Sequence, residues 1–253
     1  MVAVVDRATT RDRTMVRTYS VVELTGLAGV GKTTLSQAMS RRSPSVSVAA
    51  RPNIALPRDG AFFARNGLRL APTYLCLYQS GVEWLTWRDM ARMAILKGWH
   101  LALRPKAQAT GSIVLLDHGP AFMLAQLYGF GPDCLRSQRA QAWWDEMYRQ
   151  WAAVLDTVVW LDAPDQVLLE RIHTREKQHT VKGKSEREAS GFLTRYRAAY
   201  ETVLSRLVAE DGGPRLLRID TAQQSPEEAV EKMLREFGLP VDPAVSHGTR
   251  ACS

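Results

Sequence analysis

The eight residues Gly26–Thr33, GLAGVGKT, constrain this chain more than any other stretch. They satisfy the spacing G-x-x-x-x-G-K-[ST], and both flanks suit it. Before them, Tyr19–Gly26 (YSVVELTG) is β-branched and apolar and reads as a buried strand. After them, KTTLSQAMSRR is helical in character and stops at Ser43-Pro44. A strand that ends in glycine, curls and opens a helix turns successive backbone N–H groups inward, and the helix N-terminus adds partial positive charge. The spacing therefore predicts a cradle for the phosphates of a nucleoside triphosphate, built from Gly26, Ala28, Gly29, Val30, Gly31, Lys32, Thr33 and Thr34. In it Lys32 reaches the β- and γ-phosphates of ATP and Thr33 ligates Mg²⁺.

The rest of the chain alternates apolar strands with helices. Ser45–Arg51 reads as a short second strand closed by Pro52. Pro52, Pro57 and Pro72, with Gly60 and Gly67, predict a long irregular connection over 52–72. Thr73–Leu103 reads as mostly helical, with Gly81 and Gly98 as candidate interruptions. A third strand runs to Asp117 in GSIVLLDHGP, a fourth is DTVVWLDAP (Asp156–Pro164), and a fifth is PRLLRIDT (Pro214–Thr221). A long helix is expected over Glu186–Glu210. Ser225–Gly238 carries a complete set of helix signals, with a Ser cap, Pro at the first position, early acids and a closing Gly. Strand–helix alternation of this kind implies an α/β fold with a parallel sheet covered on both faces.

Composition narrows the function. No apolar run approaches the roughly 18–20 residues of a membrane helix, so no membrane partner is expected. Residues 1–18 lack the apolar core of a secretory signal and read as a flexible lead-in; 239–253 reads as a disordered tail. Cys76, Cys134 and Cys252 are widely spaced, as reduced thiols of a cytoplasmic protein would be. The net charge of +7 suits a polyanion or a site that handles several phosphates. No N-K-x-D guanine-reading motif is present, and His118 stands where a motor ATPase of the AAA type carries Glu after the Asp of its third strand. These features favour a small kinase.

Asp117 lies at the carboxyl end of a buried strand, the edge where open α/β sheets bind ligands. A kinase needs a carboxylate there to orient or deprotonate its acceptor. The plainer role is to cap the helix that begins at Pro120. Arg171 and Arg175 share a helix face, and Lys177, His179, Lys182, Lys184 and Arg187 follow. Charge of that density suits a lid over ATP, with Gly183 as hinge, or a solvated basic surface. Trp84, Trp87, Trp99, Trp143, Trp144 and Trp151 fall in helical stretches, where aromatic stripes usually serve the core. Tyr74, Tyr78 and Trp84 are also candidates to stack on a ring-shaped acceptor.

GLAGVGKTTL, the strand end LLDHGP, WLDAPDQVLLERI with its spaced arginines, and the closing RIDTAQQSPEEAVEKML occur in that order. Over about residues 19–238 the chain resembles the thymidylate kinase and deoxynucleoside kinase group of P-loop kinases. The resemblance implies a three-layer P-loop NTPase fold whose five-stranded parallel sheet has the order 2-3-1-4-5. It implies an acceptor region over about 52–110, a basic lid over about 171–187, and the nucleotide base beside Thr221–Gln224. It gives Asp117 a role toward Mg²⁺ or the acceptor, and places Lys32, Arg171 and Arg175 on the transferring phosphoryl. Arg51 matches the arginine with which thymidylate kinases bind the acceptor monophosphate, although no acid separates it from Pro52. Asp59 is the first acid after the second strand and the weaker candidate for a base. His118 departs from the group, which carries Arg there, and stands as a hydrogen-bond donor to the acceptor or as a packed residue.

The expectation is thus an ATP- and Mg²⁺-dependent cytoplasmic kinase of a nucleoside, nucleotide or nucleoside-like natural product, with Arg51, Asp59, Tyr78, Trp84 and His118 on the acceptor side. An antibiotic-modifying phosphotransferase would use the same parts, and a homodimer is compatible with them. A regulatory ATPase associated with nucleic acid is the reading from another class, and no aromatic-basic recognition motif supports it.

Overall fold

The computed structural model describes residues 20–79, 84–110, 113–174 and 180–240. Five strands, β1 (Ser20–Gly26), β2 (Val46–Val48), β3 (Ile113–Asp117), β4 (Thr157–Asp162) and β5 (Arg215–Asp220), form one sheet. All pairs are parallel and the order is β2-β3-β1-β4-β5, as expected. The strands at its centre are apolar almost throughout because both faces are covered. Val22, Leu24, Leu115, Leu116, Val158, Val159 and Leu161 are all removed from solvent.

Helices cover both faces. On one, α1 (Lys32–Arg42) packs against α8 (Pro226–Glu236). On the other, α4 (Pro120–Phe130) packs against α7 (Glu186–Ala209), with α3 (Trp87–Thr110) beside α4 and α5 (Gln141–Ala152) beside α7. The remaining helices are α2 (Gly60–Tyr78), which crosses α3, and α6 (Asp165–His173). The start of α8 follows the sequence signals: Ser225 and Glu228 form a capping box with Pro226 behind it. Ser185 and Glu188 begin α7 in the same way.

Register brings the site together. Leu24 pairs with Asp117 and Gly26 with Leu161, so β1, β3 and β4 end at one edge. Asp156 fixes the opposite end of β1, accepting a hydrogen bond from the Val21 N–H at 2.9 Å.

Three local expectations are corrected. The second strand is confined to Val46–Val48. The connection expected over 52–72 is irregular only as far as a short 3₁₀ turn at Pro57–Asp59, and α2 then runs through Pro72. Phe63, Asn66, Leu70 and Leu77 recur at helical spacing and face the core, and this burial outweighs the glycine and proline signals. Pro72 leaves the Leu68 carbonyl without its helical donor, but Leu68 lies on the solvent side, 77% exposed, where water can reach it. Gly98 does not interrupt α3: a Cβ there would fall 2.2–2.5 Å from the Asn66 amide, so the glycine lets α2 and α3 cross closely. Trp99, Trp143, Trp144 and Trp151 are buried as expected, while Trp84 and Trp87 are not.

Candidate active site

The phosphate loop owes its shape to glycines in the left half of conformational space. Gly26, Gly29 and Gly31 have φ of 146°, 87° and 95°. At Gly26 a Cβ would lie 2.2 Å from the Leu161 carbonyl oxygen, and at Gly29 it would lie 2.9 Å from that of Leu168. At Gly31 it would meet nothing. The first two glycines admit neighbouring backbone, whereas the third faces the open cradle. Val30 is buried, and Ala28 packs on a small apolar cluster of Ile172, Val181 and Ala189. Lys32 is nearly buried, and its Nζ donates to the carbonyls of Gly26 at 2.7 Å and Leu27 at 2.9 Å. The Tyr200 hydroxyl on α7 donates to the same Gly26 carbonyl at 3.3 Å.

Thr33 is exposed at the mouth of the loop, and its Oγ1 donates to Asp117 Oδ2 at 3.0 Å. This contact joins the phosphate loop to the end of β3 across 84 residues of chain. On the other carboxyl oxygen, His118 Nδ1 lies 3.0 Å from Asp117 Oδ1. Burial alone would raise the Asp117 carboxyl, but His118, the Thr33 hydroxyl and Lys32 outweigh it and hold the group below the ordinary carboxylate value. The His118 ring stands edge-on to Phe122 with centroids 4.7 Å apart. The capping role open to Asp117 belongs instead to Glu23 of β1, whose carboxyl accepts from the N–H groups of Ala121 and Phe122.

A cleft of about 450 Å³ adjoins the loop, lined by Gly29–Gly31, Thr34, Arg171 and the 221–226 segment that begins α8. Its size is within the range of small-molecule sites. The Thr221–Gln224 segment, which the resemblance sets beside the nucleotide base, forms one wall of this cleft. Arg171 lies in it too, donating through Nη1 to Thr221 Oγ1 at 3.1 Å and through Nη2 to the Thr221 carbonyl at 2.9 Å. The structure thus ties Arg171 to the segment that begins α8, within the cleft beside the loop. Arg175, Lys177 and His179 fall outside the described residues. Gly183 has φ of 81°, consistent with a turn there.

The acceptor candidates separate into two groups. Arg51 is exposed and makes no ion pair with a described residue. Burial of part of its side chain and the neighbouring Arg92 charge lower its pKa, and the nearby Asp117 opposes that. His118 therefore sits on Asp117, and Arg51 is near enough to feel its charge. Asp59 serves its own loop, where its Oδ2 accepts from the Asn53 N–H at 2.7 Å and closes the 53–59 turn. Tyr78 and Trp84 stack edge-on against each other, centroids 5.3 Å apart, at the end of α2, and both are exposed. Tyr74 is used between helices, its hydroxyl donating to the Met90 carbonyl at 3.3 Å.

Several residues that brace the elements around the site escape sequence reasoning. Arg92 is held by Asp89 at 3.0 Å, and Asp89 in turn caps α3 through Thr86. Arg197 ties Asp162, Asp165 and the Ala163 carbonyl together at the β4–α6 turn. Glu23 had a visible signal, being a lone charge inside an apolar strand. Among the described residues no helix is long and apolar enough to cross a membrane, and no three His, Cys, Asp or Glu side chains cluster as a metal cage.

A family model described as an AAA domain matches residues 21–203. Among solved structures, thymidylate kinase from Candida albicans superposes with a TM-score of 0.53 at 15% identity, covering 87% of this chain and 91% of that one. A deoxyadenosine kinase from M. mycoides, solved with bound dATP, gives a TM-score of 0.48 at 14% identity, covering 86% and 99%. No curated protein matches the sequence. The likeness to thymidylate kinase is one of fold, and it agrees with the sheet order and the placement of the phosphate loop. The family match extends from β1 into α7 and so takes in that loop, Asp117 and Arg171. On that match the chain belongs to the AAA-domain family, in its P-loop kinase fold.

Proposed function

We propose that the protein is an ATP-dependent kinase of a small molecule. The observation that carries this reading is the Thr33–Asp117 contact of 3.0 Å, which sets a carboxylate at the mouth of a phosphate cradle. A motor ATPase of the AAA type has an Asp at the same spot but follows it with Glu, where this chain has His118; in transfer to an acceptor the acid orients the attacking group. Because Asp117 is held ionised, it serves to orient the acceptor more than to strip it of a proton. Lys32 supplies positive charge to the β- and γ-phosphates. Arg171 borders the ribose and base through its bonds to Thr221. Rate would come from in-line positioning and electrostatics, without a covalent intermediate.

The Thr33 hydroxyl and the Asp117 carboxylate are hard oxygen donors within hydrogen-bond distance of each other. That donor set suits a Mg²⁺ ion that keeps several waters and shares the nucleotide phosphates. Bound there, the ion would neutralise charge on the phosphoryl group.

The acceptor is a nucleoside, a nucleotide or a nucleoside-like natural product. Arg51, without an ion-pair partner among the described residues and beside Arg92, favours an acceptor that carries an anionic group. The test is incubation with MgATP and pools of nucleosides, nucleotides and nucleoside or aminoglycoside antibiotics, read by mass spectrometry for the gain of one phosphoryl group. A product from a pool supports the reading. ATP hydrolysis with no product from any pool would refute it.

A further inference from the structure

Glu23 sits in the middle of the central strand β1 with no exposed surface. An isolated carboxyl in such a place is costly to bury. The register sets Glu23 beside Leu116, so the carboxyl lies under the turn that follows Asp117. Its Oε2 accepts from the Ala121 N–H at 2.8 Å and its Oε1 from the Phe122 N–H at 3.0 Å. These are first-turn amides of α4, which helices ordinarily satisfy with a local Ser, Thr, Asp or Asn. Here the local cap position is Gly119, which has no side chain to offer. A Cβ on Gly119 would come 2.6–2.7 Å from the Glu23 carboxyl, so the glycine is what admits it.

The residue just before Gly119 is under strain. His118 has φ of 60° and is the one non-glycine residue at positive φ among the described residues. Such a conformation is strained and persists only where its surroundings over-determine it. Glu23 holds one side of this turn, and the Asp117–His118 contact and the Phe122 ring hold the other. A local cap would have satisfied α4 equally well but left the 117–119 turn free to shift against β1. A cap delivered from β1 fixes that turn to the strand that ends, three residues later, in the phosphate loop.

We infer that Glu23 is a positioning residue, a buried clamp that holds Asp117 and His118 in register with the phosphate loop. The inference rests on the phosphoryl-transfer reading of Asp117. Burial pushes the Glu23 carboxyl up to about 8, against the pull of the Ala121, Phe122 and Gly119 amides and with a small push from Asp117. A group kept in place at that cost fits a positioning role better than simple packing.

The test compares wild type with Glu23→Gln and Glu23→Ala. Gln keeps the shape, but its Nε2 cannot accept a hydrogen bond, so one helix amide is orphaned. Three readouts are taken well below the melting temperature: affinity for a fluorescent ATP analogue with Mg²⁺, turnover of MgATP with water as acceptor, and amide hydrogen exchange of the 117–124 segment. The clamp predicts faster exchange confined to 117–124, nucleotide affinity within about twofold, and kcat per folded molecule lowered about 10- to 100-fold, the size expected of a misplacement near 1 Å. Ala should lower it further than Gln. Wild-type exchange at 117–124 together with wild-type kcat would overturn the inference. So would a uniform rise in exchange with kcat unchanged, which is the mark of a purely structural group. A wild-type protein that phosphorylates no member of the acceptor pools would refute the phosphoryl-transfer reading instead, and the exchange pattern would then decide the clamp by itself.

Discussion

Two glycines of the phosphate loop should respond to the same substitution in opposite assays. Gly26 and Gly31 both have positive φ, so alanine at either carries a backbone cost of about 1–3 kcal/mol. They differ in what the new methyl meets. At Gly26 it would lie 2.2 Å from the Leu161 carbonyl oxygen, which belongs to the paired strand β4 and cannot swing aside; at Gly31 nothing lies within 4 Å. Forcing a methyl group into packed backbone adds about 1–3 kcal/mol. Gly26→Ala should therefore lose about 2–6 kcal/mol in total and Gly31→Ala only the first part. For a chain of this size each kcal/mol lowers the melting temperature by about 2–4 °C. The Gly31 methyl instead meets open space at the phosphate cradle, so Gly31→Ala should weaken MgATP binding while losing less of its melting temperature than Gly26→Ala. Thermal melts and nucleotide titrations on both variants check this. Equal melting temperatures, with equal losses of MgATP affinity, would refute the division of the loop into a packed half and an open half.

Asp117→Asn should lower turnover by about 10²-fold or more, with MgATP affinity little changed; unchanged turnover removes Asp117 from the chemistry. Arg171→Ala breaks both bonds to Thr221 and should raise the nucleotide KM about tenfold at nearly constant kcat. A collapse of kcat at constant KM would move Arg171 to the phosphoryl group instead. The folded-state pKa of Glu23, about 8, lies above its ordinary 4.5, so folding binds its proton more tightly. Its contribution to stability is full below pH 4.5 and is lost as pH rises through 8, a loss on the order of a few kcal/mol. The melting temperature of wild type should accordingly fall more steeply from pH 5 to pH 8.5 than that of Glu23→Gln, and parallel pH profiles would contradict this.

The donor half of the site is legible in the sequence because its parts are adjacent. GLAGVGKT, its strand and its helix lie within about 25 residues, and local sterics dictate their shape. The Ser225–Gly238 helix is legible for the same reason. Asp117 could be placed because β3 is a clean apolar run and the position at its end is set by topology. The acceptor side reads poorly because its structure is made by distant contacts. Asn66 against Gly98 makes α2 and α3 cross, and burial of Phe63, Leu70 and Leu77 overrides Pro72 and Gly67, which mark a loop on local grounds. Tyr78 and Trp84 show the converse: aromatic residues at helical spacing promised a wall for the acceptor, and the structure pairs them with each other in solvent. Arg171 had the right segment and a different neighbour, since its bond to Thr221 spans 50 residues.

The open sheet also bears on how the protein behaves at high concentration. Its outermost strands are β2 and β5, and each has unpaired backbone groups along one side that could recruit a strand from another molecule. On β2 that ladder is only three residues long, too short to seed an intermolecular sheet. On β5 the exposed positions are Arg215, Arg218 and Asp220, and Arg215 is engaged by Glu236 of α8 at 2.8 Å. Charge guards one flank and brevity the other, so the nucleotide-binding edge stays open to small molecules while the sides of the sheet resist edge-to-edge self-association.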